Sequence, residues 1–273
     1  MQESQKYIGG RWKGLVREGW QELFSDIRQL EDAGEIIVDK PDRMVRRIDT
    51  PCGVVYYKHI CGAGRGRGWY FMKSLLRQPR SLAVWHVSEQ MRIAGLGCSL
   101  PLLAVSSCRL SSFCFEDILV SCEIPFPRVS DLLKEAPDNV TRADILQKAG
   151  QGIRELHDKG FVHGDCLPGN ICMDSQGKLI FLDNDRTRRK GRFFPRKKQL
   201  WNLVQFCSHA LTVLPNQQLL QHFLQGYDHP ESPSIPESEL EREPFMRLLQ
   251  LRIAYLEREF GKKLMGSKLS ENG

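Results

Sequence analysis

The stretch Phe161-Val-His-Gly-Asp-Cys-Leu-Pro-Gly-Asn170 and the later Lys178-Leu-Ile-Phe-Leu-Asp-Asn-Asp185 gather the residue types best able to do chemistry. Asp165 follows His163 by two residues, Asn170 follows Asp165 by five, and Asp183 comes thirteen further on, after the apolar run Leu179 to Leu182. A carboxylate near a hydroxyl acts as a base, and carboxylate and amide oxygens ligate hard cations such as Mg²⁺. Phosphoryl transfer asks for that combination: a base near the attacking hydroxyl and ligands for a cation bridging phosphates. Asp165 suits the base, with His163 beside it as the second candidate catalytic residue, although a histidine standing alone would be structural. Asn170 and Asp183 suit the metal.

These residues need elements to place them. Ile145, Ala149, Ile153, Leu156 and His157 form an apolar helical stripe ending at Gly160, so a helix delivers the chain into the loop. Two short strand-like runs, Ile171 to Met173 and Leu179 to Leu182, read as a hairpin that presents Asp183. Upstream, Glu35 to Val38, Met44 to Ile48 and Val54 to Ile60 read as strands, the last entered through the turn Asp49 to Gly53. Alternation puts Val54, Tyr56, Lys58 and Ile60 on one face, so Lys58 either snorkels at an edge or points into a functional cleft. The loop Gly62 to Gly68 lacks the Lys-Ser/Thr ending of a P-loop. A helix is predicted from Arg80 to Gly95 on Val84, Val87, Met91 and Ala94. Strands at Leu102 to Ser106 and Ile118 to Cys122 lead to the connector Glu123-Ile-Pro-Phe-Pro127. The last third is helical at Leu200 to Leu214, Gln218 to Phe223 and Phe245 to Phe260, with the Pro-rich loop Asp228 to Glu237 between. A strand-rich half precedes a helix-rich half, which predicts an α+β chain.

The 273 residues are 41 % hydrophobic and 26 % charged, ordinary for a soluble protein, and no apolar run approaches the ~20 residues that span a bilayer. The start shows no secretory signal. Nine cysteines, an odd number with no C-x-x-C pair, predict buried free thiols in a reducing compartment, hence the cytoplasm. The net charge of +6 is concentrated in Arg186 to Lys198 and in Arg65, Arg67, Lys73, Arg77 and Arg80. These stretches are either solvated basic faces or attractors of an anionic substrate, nucleic acid or lipid surface. No nucleic-acid partner is expected, since no reading motif or interleaved stacking aromatics accompany them.

H-G-D-x-x-x-x-N with a later strand-end aspartate resembles the catalytic and metal loops of protein-kinase-like phosphotransferases. Within that fold, Leu182-Asp-Asn-Asp-Arg186 is similar to the L-I-D-F-D-R signature of the lipopolysaccharide core kinases, the family of Kdo kinase and the inner-core heptose kinases. Lys58-His, the basic loop after it, Arg77-x-x-Arg80-Ser-x-Ala-x-x-Trp85, Gly95 and Pro101 also look like that family's N-terminal lobe. The resemblance implies a bilobal fold, with a β-rich ATP-binding lobe over 1–124 and a mainly helical catalytic lobe over 125–273. It implies ATP and Mg²⁺ as cofactors, Lys58 on the α- and β-phosphates, and Glu123 at the adenine-contacting segment. The acceptor would be a Kdo or heptose hydroxyl of an anionic glycolipid, met at the cytoplasmic face of the inner membrane by peripheral contact. Three departures stand out. Asn184 replaces a hydrophobic residue, which would loosen packing. Val84 occupies the place of the glutamate that clasps the strand lysine, with Glu89 about 140° further round the helix. A G-x-G-x-x-G loop is missing, and Asp49 to Gly53 stands in its place. Other readings are a kinase-like enzyme for another small molecule or protein, and a non-catalytic pseudokinase binding module, which Val84 favours.

Overall fold

The computed structural model describes residues 4–61, 78–109, 114–189, 196–228 and 239–260. The loop Gly62 to Gly68, the basic residues Arg65, Arg67, Lys73 and Arg77, residues 190–195 of the second basic stretch and nearly all of the Pro-rich loop lie outside them. The chain forms two compact units, Met1–Gln90 with Ser99–Pro125, and Met91–Cys98 with Phe126–Gly273.

The first unit is built on one antiparallel sheet. Its strands are β1 (Ser4–Gly9), β2 (Trp12–Arg17), β3 (Glu35–Lys40), β4 (Arg43–Thr50), β5 (Gly53–Cys61), β7 (Pro101–Arg109) and β8 (Cys114–Cys122), and their order is β1-β2-β7-β8-β5-β4-β3. Alternation along β5 sends Val55 and Tyr57 into a core shared with Trp12, Leu103, Ile118 and Val120. The intervening Val54, Tyr56 and Lys58 are half-buried on the other face. The first two strands escape the sequence patterns because only Tyr7, Trp12 and Val16 of their apolar residues reach the core.

Among the described residues two helices complete this unit, the single turn α1 (Arg28–Glu31) and α2 (Arg80–Ile93), whose last three residues belong to the second unit. The buried carboxylate of Asp117 on β8 seats the start of α2, accepting from Ser81 Oγ at 2.8 Å and from the Ser81 and Arg80 amides at 3.4 Å. Burial raises its pKa, and these bonds oppose the rise. The helix carries a buried stripe of Val84, Trp85, Val87 and Met91. Val84 is therefore a packing residue. Glu89 reaches the buried Arg17 of β2 at 2.5 Å, while the Arg17 guanidinium lies 5.0 Å over the Trp85 ring and Nε donates to Pro101 O at 2.9 Å.

The second unit is mainly helical: α3 (Val129–Glu135), α4 (Asn139–Asp158), α5 (Arg196–Val213), α6 (Leu220–Tyr227) and α7 (Glu239–Phe260). Asp138 caps α4 by accepting from the Thr141 amide at 2.7 Å, a bond that lowers its pKa. Gly150 of α4 packs so closely on α6 that a Cβ there would lie 2.1 Å from Phe223 O. Short strands hold the loops: β9 (Phe161–Val162) pairs with β12 (Arg188–Arg189), while β10 (Ile171–Met173) and β6 (Gly97–Cys98) flank β11 (Leu179–Phe181). The eight cysteines whose side chains are described are free. Cys166, Cys172 and Cys207 are buried as expected of apolar runs, whereas Cys52 and Cys108 are exposed.

Candidate active site

Helix α4 ends at Gly160, whose φ of +81° suits a residue without Cβ, and β9 carries the chain into His163 to Asn170. His163 is fully buried, and both its ring nitrogens meet backbone. Nε2–H donates to Leu182 O at 2.8 Å, and Nδ1 accepts from the Asp165 amide at 3.2 Å. Burial lowers its pKa, so the ring is neutral, the form that can both donate and accept. Leu182 is held from its other side as well, because its amide donates to Asn170 O at 2.9 Å. The residue preceding Asp183 is thus stapled to both ends of the loop that carries Asp165.

Within that loop Asn170 Nδ2 donates to the Asp165 carbonyl at 3.0 Å and to the Asp165 carboxylate at 3.3 Å. This fixes the amide's orientation and turns Oδ1, a hard oxygen donor, the other way. Asp183 adopts φ 51° and ψ 54°, the left-handed conformation, and is the one non-glycine residue with positive φ among the described residues. That geometry costs an ordinary residue on the order of 1 kcal/mol and clusters at functional positions. It ends β11 and starts the turn Asn184–Arg186. Asn184 does not loosen this turn. It is buried, its Nδ2 donates to Phe181 O at 3.2 Å and its Oδ1 accepts from Thr187 Oγ1 at 3.0 Å. The glycine of His-Gly-Asp has a steric cause: a Cβ on Gly164 would lie 1.9 Å from Arg186 Cβ.

Behind the loop stands a polar network that the sequence motifs did not reveal. Asn202 of α5 accepts from the His163 amide at 3.0 Å and donates to the His163 carbonyl. One turn later Gln205 Oε1 accepts from the Cys166 amide at 3.4 Å. The backbone on both flanks of Gly164 and Asp165 is therefore pinned by side chains of one helix. His157 orients the asparagine, its Nε2–H donating to Asn202 Oδ1 at 3.1 Å and its Nδ1 accepting from Tyr227 OH at 2.7 Å. Burial lowers the His157 pKa to about 4. The available signal was two amide residues at i and i+3 within the otherwise apolar run Trp201 to Cys207.

His163, Asp165, Asn170 and Asp183 thus sit together in the second unit. Lys58 and Glu123 belong to the first. Lys58 is at mid-strand on β5, in register with Val45 and Leu119. The Glu123 amide donates to Val54 O at 3.0 Å, and its carboxylate accepts from Arg47 Nε at 3.1 Å and Tyr56 OH at 3.4 Å. Among the described residues no three His, Cys, Asp or Glu side chains converge as a metal site. Mg²⁺ keeps several waters and takes substrate phosphates, needing only one or two protein carboxylates, and the oxygens of Asn170 and Asp183 fit that demand.

Three comparisons with known proteins bear on this arrangement. The profile of the lipopolysaccharide kinase (Kdo/WaaP) family matches residues 67–227, which include all four loop residues. Two curated relatives, the 3-deoxy-D-manno-octulosonic acid kinases of Vibrio vulnificus strains YJ016 and CMCP6, are each 29 % identical over 107 residues. The aligned part covers 39 % of this chain and 44 % of each relative, less than half the relatives' length. A solved structure of WaaP in complex with acyl carrier protein superposes with a TM-score of 0.55 at 15 % identity, covering 92 % of this chain and 98 % of that one. At that identity the likeness is one of fold, and it bears out the α+β, protein-kinase-like class. With the family profile matching more than half of its length, the chain belongs to the lipopolysaccharide kinase (Kdo/WaaP) family.

Proposed function

We propose that this protein transfers the γ-phosphate of ATP to a Kdo or heptose hydroxyl of the lipopolysaccharide inner core. The observation that carries this reading is the double staple on Leu182, which fixes Asp183 relative to Asp165 and Asn170. The Asp165 carboxylate accepts the proton of the attacking hydroxyl, and its orientation is held by Asn170 Nδ2. Asn170 Oδ1 and the Asp183 carboxylate would hold Mg²⁺, which when bound neutralises phosphate charge. His163 is a positioning residue: neutral and buried, it works through the Asp165 amide and the Leu182 carbonyl. Lys58 takes the α- and β-phosphates. Glu123 offers its carbonyl to the adenine amino group, its amide being bonded to Val54. The positive charge of the basic stretches attracts the anionic acceptor and the inner-membrane surface, and the protein works in the cytoplasm.

The test is transfer of labelled γ-phosphate from ATP with Mg²⁺ to purified deep-core lipopolysaccharide, beside Asp165→Ala. Label on the core that disappears in the variant is the expected result. Wild-type turnover in Asp165→Ala would sink the mechanism. ATP and Mg²⁺ binding without label on the core would move the acceptor elsewhere, and no nucleotide binding would favour a pseudokinase.

A further inference from the structure

Lys58 of β5 opposes Val45 of β4, so Arg43 and Arg47, two residues to either side of Val45, share its face of the sheet. Each arginine is a diagonal neighbour of Lys58, at roughly 7–8 Å. Arg47 already has its counter-charges, Glu123 at 3.1 Å and Asp49 at 3.2 Å. Arg43 is half-buried and stands between Ile60 on β5 and the exposed Lys40 on β3, directly opposite each. Among the described residues neither Arg43 nor Lys40 forms an ion pair, and Asp42 in the turn between them forms none either. Asp117, across Ile60 on this face, accepts from Ser81 and seats α2, and Asp39 opposes Met44 on the other face. Lys40, Arg43 and Lys58 therefore carry like charge across three adjacent strands. Such neighbours repel, and an anion laid over them relieves the repulsion.

The β3–β4 turn is held where it can serve that anion. The Cys61 amide donates to Asp42 O at 3.1 Å and its Sγ to Pro41 O at 3.5 Å, tying the turn to the end of the Lys58 strand. Pro41 has no amide to donate, so this turn offers phosphate its cationic side chains in place of a cradle of backbone N–H groups. The groups also lie in line. Glu123 is bonded to Val54 at the start of β5, Lys58 follows about 13 Å along the strand, and Ile60, opposite Arg43, about 7 Å beyond it.

We infer that Arg43, supported by Lys40, binds the outer phosphates of the nucleotide, beyond those that meet Lys58. The inference rests on the reading of the chain as an ATP-dependent kinase and deepens it. It gives the polyphosphate to the turn Lys40 to Arg43 at the Lys58 end of the hairpins, and not to Asp49 to Gly53. A planar guanidinium takes two phosphate oxygens at once, which an ammonium does not.

The experiment is calorimetric binding of ATP and of AMP, each with Mg²⁺, to the full-length chain. Arg43→Gln weakens ATP by about tenfold or more and leaves AMP unchanged, because AMP has no outer phosphates. Arg43→Lys, which keeps the charge and loses the fork, falls between Arg43→Gln and wild type. Arg46→Gln is the control: it removes the same charge from the neighbouring position of β4, on the opposite face, and leaves both affinities unchanged. Wild-type ATP affinity in Arg43→Gln overturns the inference. So does an equal loss of ATP and AMP, which marks a structural role, or the same selective loss in Arg46→Gln. Each of these leaves the kinase reading standing, whereas a wild type that binds no ATP at all sinks that reading and the inference with it.

Discussion

Asn202→Ala offers the most informative perturbation. The wild-type amide is 1 % exposed and serves the His163 amide and carbonyl and the His157 ring, with Gln205 Oε1 at 3.4 Å as a fourth partner. Truncation leaves at least three buried polar groups without a partner. At about 1–3 kcal/mol for each such group, and with some relaxation, the loss is on the order of 3–6 kcal/mol. That is a large part of the ~5–15 kcal/mol that holds a domain folded. Urea unfolding followed by far-UV circular dichroism measures it directly. Asn202→Asp keeps both acceptor bonds but loses the donor to the His163 carbonyl, so its loss falls between alanine and wild type. Turnover supplies a second readout: His163 and Cys166 flank Gly164 and Asp165, so their release shifts the base, and a displacement near 1 Å costs about a hundredfold in rate. Stability of Asn202→Ala within about 1 kcal/mol of wild type would refute the reasoning.

Gly164→Ala drives a methyl group into Arg186 and pushes the base away from the Asp183 turn, so turnover falls at least about tenfold while thermal stability drops by on the order of 1–3 kcal/mol; unchanged kinetics would show that the two loops separate freely. Asp183→Gly relieves the left-handed backbone, so it unfolds at equal or higher urea, by up to about 1 kcal/mol, yet loses Mg²⁺-dependent ATP binding in calorimetry; retained binding would remove Asp183 from the metal. His157 titrates near 6.5 when unfolded and is held neutral in the fold, with a pKa of about 4. The unfolded chain therefore binds more protons across that window, and stability falls as pH drops from 6.5 to 4, by up to about 3 kcal/mol from this residue. His157→Phe flattens the urea-midpoint profile there, and identical slopes in the two proteins would contradict the assignment.

The candidate site was legible because it is local. His163, Asp165, Asn170 and Asp183 lie within about twenty residues, on elements whose turn glycines and apolar runs have short-range signatures. The strands β3, β4 and β5 were readable for the same reason. What escaped depends on partners far along the chain. Strands β1 and β2 carry few apolar residues and exist by pairing with each other and with β7. Asn202 and Gln205 look like any helix amides until the fold brings them 39 residues back to His163 and Cys166. Asn184 was misjudged from polarity alone, because only the folded turn shows that its amide joins Phe181 to Thr187. Glu89 could be placed on its helix from spacing, but its bond to Arg17 spans 72 residues.

The parallel pairing of β6 with β11 sets an order of assembly. Gly97 and Cys98 leave the ribosome about eighty residues before Ile180 and Phe181, the residues they pair with. At about 5–20 residues per second, that wait is on the order of ten seconds. During it Gly97 and Cys98 have no β11 to pair with, and Asp183, which follows that strand, does not yet exist. A gene fragment beginning at Phe126 would lack β6 altogether and leave the flank of β11 open, next to the aspartate it presents. Supplying Gly97–Cys98 from a second polypeptide would make recovery of Mg²⁺-dependent nucleotide binding a direct report on that missing edge.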